Sequence, residues 1–194
     1  MNVYIVNGKP GCGKTTFQNI MKLLMGDKFC FSVSSIDWVK TIAKACGWTG
    51  AKEQKDRKFL ADLKHLLNEY NDSPFKEVRH QINYIDSMAT LYGFKIPGIA
   101  VFVDVREPEE IERYKKEFNA KTILIRREDV EAQSYNNPSD TNVFEYNYDI
   151  TIDNNESLTS LVRTCYQFAY SEKLHIEYDS LNVDLFGQIK RPDD

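Results

Sequence analysis

Apolar residues recur along this chain in two alternating rhythms. Residues 3–6 form a short β-branched run that ends at a glycine turn, which predicts a strand. Helical spacing follows, with Phe17, Ile20, Met21 and Leu24 on one face. Residues 29–33 predict a second strand. From about Asp37 to Lys95 the pattern is helical and polar, without a convincing strand. Phe59, Leu60, Leu63, Leu66, Leu67 and Tyr70 form one stripe there, and Phe75, Val78, Ile82, Ile85 and Met88 another. Glycine and proline clusters at 47–50 and 71–74 mark loops. Residues 99–103 are continuously apolar, the mark of a strand buried on both faces. Pro108 and the acids around it open the next helix, with Ile111, Tyr114 and Phe118 facing inward. Residues 122–125 and 148–152 predict two more strands. Leu158, Leu161, Val162, Cys165 and Phe168 predict a closing amphipathic helix.

Five short strands alternating with helices predict an α/β fold: a parallel sheet with right-handed crossovers, covered on both sides. The stretch from about 36 to 96 is too long for a simple crossover and reads as a helical insertion. The tail from 174 to 194 alternates weakly, at Leu174, Ile176, Tyr178, Val183 and Leu185. An edge strand, a hairpin and an oligomer contact all fit it, so a homodimer stays among the expected assemblies.

Composition narrows the function. The 194 residues carry a formal charge of −4, without the basic surplus of a nucleic-acid footprint. Any phosphate binding must therefore be local. The opening residues have no basic region, and their apolar run is too short for a signal peptide or membrane span. The four cysteines (Cys12, Cys30, Cys46, Cys165) are scattered, as expected of reduced thiols in a cytoplasmic protein. His65, His80 and His175 are isolated and read as structural.

One motif carries chemistry. Residues 8–15, Gly-Lys-Pro-Gly-Cys-Gly-Lys-Thr, match G-x-x-x-x-G-K-[ST] without a gap. Chance would supply that pattern on the order of once per hundred chains of this length. Here it also follows a predicted strand and opens a predicted helix, as its mechanism requires. Gly8, Gly11 and Gly13 let the backbone bring its N–H groups against phosphate oxygens. Lys9, Pro10 and Cys12 contribute backbone to the same loop, and the helix opening at Lys14, Thr15 and Thr16 points its unpaired amides at the anion. Lys14 is expected to reach the β- and γ-phosphates, and Thr15 a Mg²⁺ ion. Asp104, at the end of the third predicted strand, is a second candidate magnesium ligand, with a turn cap as its structural alternative. Arg106 emerges two residues later, suited to a bidentate grip on phosphate.

No Asn/Thr-Lys-x-Asp motif reads a guanine base, which argues against a GTPase. Val105 rather than an acid follows Asp104, so water activation has no obvious agent. What remains resembles the P-loop nucleoside monophosphate kinases, in particular the phage and bacterial deoxynucleoside monophosphate kinase-like proteins, over roughly residues 1 to 170. The resemblance rests on residues 8–15, on Phe-Ser-Val-Ser-Ser-Ile-Asp-Trp at 31–38, on Asp104-Val-Arg106, and on Arg126-Arg127 after Ile125. It implies one P-loop kinase domain over 1–194, in which about 36–96 bind the acceptor and a short lid spans about 127–147.

It also implies that Arg106 meets the acceptor phosphate and Arg126 or Arg127 the transferring group, with ATP and Mg²⁺ as cofactors. Ser35 and Asp37 stand where family members begin the acceptor helix, though Asp37 equally suits a helix cap. Arg57 and Arg79 are further acceptor candidates within the insertion. The Asp-Gly-Phe-Pro-Arg of adenylate kinases is absent, and the lid lacks zinc cysteines, which leaves base and sugar preference open. The expected partner is a small-molecule nucleotide, not nucleic acid or a membrane. Two alternatives stand beside it: a kinase for another small metabolite on the same fold, and a nucleotide-binding protein without turnover.

Overall fold

A computed structural model describes residues 1–51, 53–93, 98–131 and 142–177. The chain divides into two compact units, Met1–Ser32 with Lys95–Asp194, and Val33–Phe94.

The first unit is built on a five-stranded sheet: β1 (Asn2–Asn7), β2 (Cys30–Ser34), β3 (Ala100–Asp104), β4 (Lys121–Arg126) and β5 (Ile150–Asp153), in the order β2-β3-β1-β4-β5. β1 runs parallel to both β3 and β4, and β4 parallel to β5. Parallel neighbours need crossovers that cover the faces, so inner strands become apolar throughout. Val3 to Val6 and Ala100 to Val103 are all buried.

On one face, α1 (Lys14–Met25) and α7 (Leu158–Ser171) pack side by side. Tyr4, Phe17, Phe102 and Phe168 interlock beneath them, with ring centroids 5.2 to 5.8 Å apart where Tyr4 and Phe17 meet Phe102 and Phe168. Burying each such ring contributes about 1.5–3 kcal/mol. The alternate residues Val3, Ile5, Val101 and Val103 belong to the opposite face. There α5 (Pro108–Phe118) packs on β1 and β4 through Ile111 and Tyr114.

Each expected strand is present, with shifted ends. The last begins at Ile150 rather than 148, because Tyr148 and Asp149 are used differently. Asp149 Oδ2 accepts from the Thr122 amide and hydroxyl, both at 2.8 Å, and Lys115 reaches the same carboxylate. Burial raises the pKa of this carboxyl, but the Thr122 and Lys115 contacts prevail and hold it below the ordinary carboxylate value.

Of the expected tail, Leu174 is buried and His175 stacks on Phe29, with ring centroids 3.8 Å apart. The His175 amide donates to Gly98 and that of Glu177 to Leu24, and among the described residues 174–177 no strand forms. Residues 178–194, with Tyr178, Val183 and Leu185, lie outside the described residues. So do 132–141 of the expected lid. Its described parts are α6 (Glu128–Glu131) and a 3-10 turn (Asn142–Glu145).

The second unit is helical: α2 (Ser35–Ala45), α3 (Gln54–Asn71) and α4 (Ser73–Leu91). Ser34, not Asp37, stands at the N-cap of α2; Asp37 lies in the first turn and pairs with Lys40 at 3.0 Å. Glu53 and Asp56 close a reciprocal capping box on α3. The α4 stripe is buried at Phe75, Val78 and Ile82. The α3 stripe is not: Phe59, Leu66 and Tyr70 are exposed, and only Asp56 of α3 is buried. Among the described residues no helix is long and apolar enough to cross a membrane.

Candidate functional site

The loop 8–13 leaves β1 at the carboxyl end of the sheet, where open parallel sheets bind ligands. Two glycines there are sterically required. A Cβ at Gly8 (φ 150°) would collide with the Ile125 carbonyl oxygen and stand 2.6 Å from Cys12 Sγ. One at Gly13 (φ 103°) would stand within 2.5 Å of Asn154 Nδ2. Side chains fix the loop from both ends. The Gly8 amide donates to Asn7 Oδ1 at 2.8 Å, and Asn154 Nδ2 donates to the Cys12 carbonyl at 2.9 Å.

Gly13 is the N-cap of α1 and supplies no side-chain acceptor, so the first-turn amides of Lys14, Thr15 and Thr16 suit an anion. Lys14 Nζ donates to the carbonyls of Gly8 (2.5 Å) and Lys9 (3.0 Å) and lies 3.9 Å from Cys12 Sγ. Thr15 and Thr16 are exposed. Cys12 is buried; desolvation raises its thiol pKa, and the nearby Lys14 ammonium offsets only part of that.

The neighbouring strand ends bring further candidates to the same end of the sheet. Asp104, the last residue of β3, lies in register with Val6, and its Oδ1 accepts from Gln18 Nε2 at 2.8 Å. That contact ties the carboxylate to α1 one turn beyond Thr15. Arg106 follows with an exposed side chain, and its carbonyl accepts from Asn7 Nδ2 at 3.2 Å.

Arg126 closes β4 and grips Glu131 with two bonds, Nε to Oε1 at 2.8 Å and an Nη to Oε2 at 3.0 Å. Those bonds raise the guanidinium pKa and lower that of the carboxylate. The Glu131 carbonyl accepts from Lys9 Nζ at 2.6 Å. Lys9 and Arg126 also face the Phe144 ring, at 5.4 and 5.8 Å from its centroid. Arg127 is half-exposed and meets Asp129 at 3.4 Å.

The remaining candidates belong to the helical unit. Ser35 is buried at the start of α2, and Asp37 is exposed. Arg57 on α3 and Arg79 on α4 are exposed.

Asn7, Gln18, Glu131 and Asn154 escaped the sequence reading. Asn7 adjoins the motif, and an asparagine between a strand and a glycine loop is a weak local signal. Asn154 meets Cys12 across 142 positions, a relation no local pattern carries.

Strand order, crossover helices and the loop between β1 and α1 define a P-loop α/β fold. No family model matches the chain, and no curated protein matches it. Among solved structures it is similar to the dephospho-CoA kinase from Campylobacter jejuni, at 18% identity, with a TM-score of 0.49 over 88% of this chain and 97% of that one.

Proposed function

We propose that the chain is an ATP-dependent phosphotransferase whose acceptor is a (deoxy)nucleoside monophosphate. One observation carries the reading. Three adjacent strand ends bring the phosphate-loop lysine, an aspartate and two arginines (Lys14, Asp104, Arg106, Arg126) to the carboxyl end of the sheet. Phosphoryl transfer needs positioning and charge neutralisation rather than covalent chemistry, and this set offers both.

The residues fit a polyphosphate: the loop is shaped by glycines and followed by a helix start without a side-chain cap. Bound ATP with Mg²⁺ would supply the transferable phosphoryl group and neutralise much of its charge. The loop amides and Lys14 would bind the β- and γ-phosphates, and Thr15 and Asp104 would hold the metal. Lys14 must first leave the carbonyls of Gly8 and Lys9, so it exchanges two contacts for an anion. Arg126 spends two of its five N–H donors on Glu131, which fixes the plane of the guanidinium, and the remaining donors would meet the transferring group. Arg106 would take the acceptor phosphate. An arginine meeting the developing charge is worth about 10³–10⁵ in rate.

The test is ADP release from ATP and Mg²⁺ over a panel of (deoxy)nucleoside monophosphates and other small metabolites. Acceleration by one nucleotide supports the reading. Acceleration by a different metabolite transfers it to another kinase on the same fold, and no acceleration by any acceptor overturns it. Lys14→Met should abolish turnover with the fold intact by circular dichroism. Arg106→Ala should impair acceptor use, and loss of ATP affinity instead would refute its assignment.

A further inference from the structure

Asn7 is 1% exposed at the end of β1, and its carboxamide ties three segments together. Oδ1 accepts from the Gly8 amide at 2.8 Å. Nδ2 donates to the Arg106 carbonyl at 3.2 Å and to the Tyr148 hydroxyl at 2.8 Å. An amide nitrogen has two N–H groups, so both are used and the group cannot turn without stranding a buried donor.

Tyr148 is itself held. Its ring meets that of Tyr146 edge-on at 5.0 Å, Tyr146 bonds Glu112 on α5, and Asp149 is latched to Thr122. Burial pushes the Tyr148 phenol up to about 12, so it stays a neutral acceptor for Asn7 at ordinary pH. Of the three Asn7 contacts, the one to Arg106 is longest. It is therefore the first to shift if the carboxamide loses its anchor at Tyr148, while the Gly8 contact uses the other end of the group.

We propose that Asn7 and Tyr148 are positioning residues: the chain from Tyr148 hydroxyl through Asn7 carboxamide to Arg106 carbonyl sets where the Arg106 guanidinium meets the acceptor phosphate. This rests on the phosphotransferase reading above, in which Arg106 serves the acceptor. The chain joins the segment entering β5 to the end of β3, although β1 and β4 lie between those strands.

Tyr148→Phe tests it, because the substitution removes one oxygen and keeps the ring. The acceptor KM should rise about three- to tenfold, the equivalent of one neutral hydrogen bond. The kcat and the affinity for MgATP should stay within about twofold. In an Arg106→Ala background the same substitution should change nothing further. A MgATP affinity that falls as far as the acceptor KM rises, or an undiminished effect without the Arg106 side chain, overturns the proposal. A readout free of turnover separates it from the functional reading. The ¹³C shift of the Arg106 carbonyl should move in Tyr148→Phe, with that of the Cys12 carbonyl unchanged. If no acceptor is turned over, the functional reading falls and this shift decides the positioning claim, an unmoved Arg106 carbonyl overturning it.

Discussion

Gly13 shows how little freedom the phosphate loop has. Its φ of 103° is strained for any L side chain, and the Asn154 carboxamide occupies the space a methyl would need. Gly13→Ala should destabilise by about 1–3 kcal/mol, which for a chain of this size lowers the thermal midpoint by roughly 3–10 °C. In an Asn154→Gly background, which already lacks the bond to the Cys12 carbonyl, Gly13→Ala should cost only the part due to φ, a difference that calorimetry of the single and double variants resolves. Cys12 calls for a different test. Burial raises its thiol pKa, as it does for Cys30 and Cys165, each pushed up to about 12, whereas Cys46 is exposed. Iodoacetamide at neutral pH should label Cys46 in the folded protein and spare the other three, as mapped by peptide mass spectrometry.

At the scale of elements, the start of β5 is governed by one carboxylate. The folded pKa of Asp149 lies below its unfolded value, so its contribution is present above the unfolded value of about 3.9 and is lost as pH falls through the folded one. Asp149→Asn should therefore lower stability near pH 7 and converge with the parent in strong acid, as followed by urea denaturation across pH.

The sequence predicted β5 two residues early because apolar spacing cannot see that Tyr148 and Asp149 are spent on Asn7 and Thr122. The inner strands were legible because burial on both faces writes itself as an unbroken apolar run, as in residues 99–103. The phosphate loop was legible because its chemistry is contiguous. Asn7 and Asn154 were not, since each acts through a contact that only the sheet order creates, and Glu131 was not because its bond to Arg126 forms across the turn between β4 and α6, a spacing no motif marks. The α3 stripe marked a real periodicity, yet periodicity reports a face and not what covers it.

For the whole molecule, that last point becomes a contrast within the helical unit. Ile82 is 1% exposed and Leu66 is 60% exposed. Ile82→Ala should cost about 2–5 kcal/mol of unfolding free energy, while Leu66→Glu should stay within about 0.5 kcal/mol of the parent. Urea denaturation of both variants checks the pair. A large loss from Leu66→Glu would mean that this face is covered in solution.

The strand order also has a consequence for synthesis. β1 is made before its partners β3 and β4, and the side chain that secures the Cys12 carbonyl is Asn154. The phosphate loop thus emerges from the ribosome well before the residues that give it its shape. Nascent chains arrested before Asn154 has emerged should show no grip on triphosphate resin, and retention should switch on abruptly once that asparagine clears the exit tunnel.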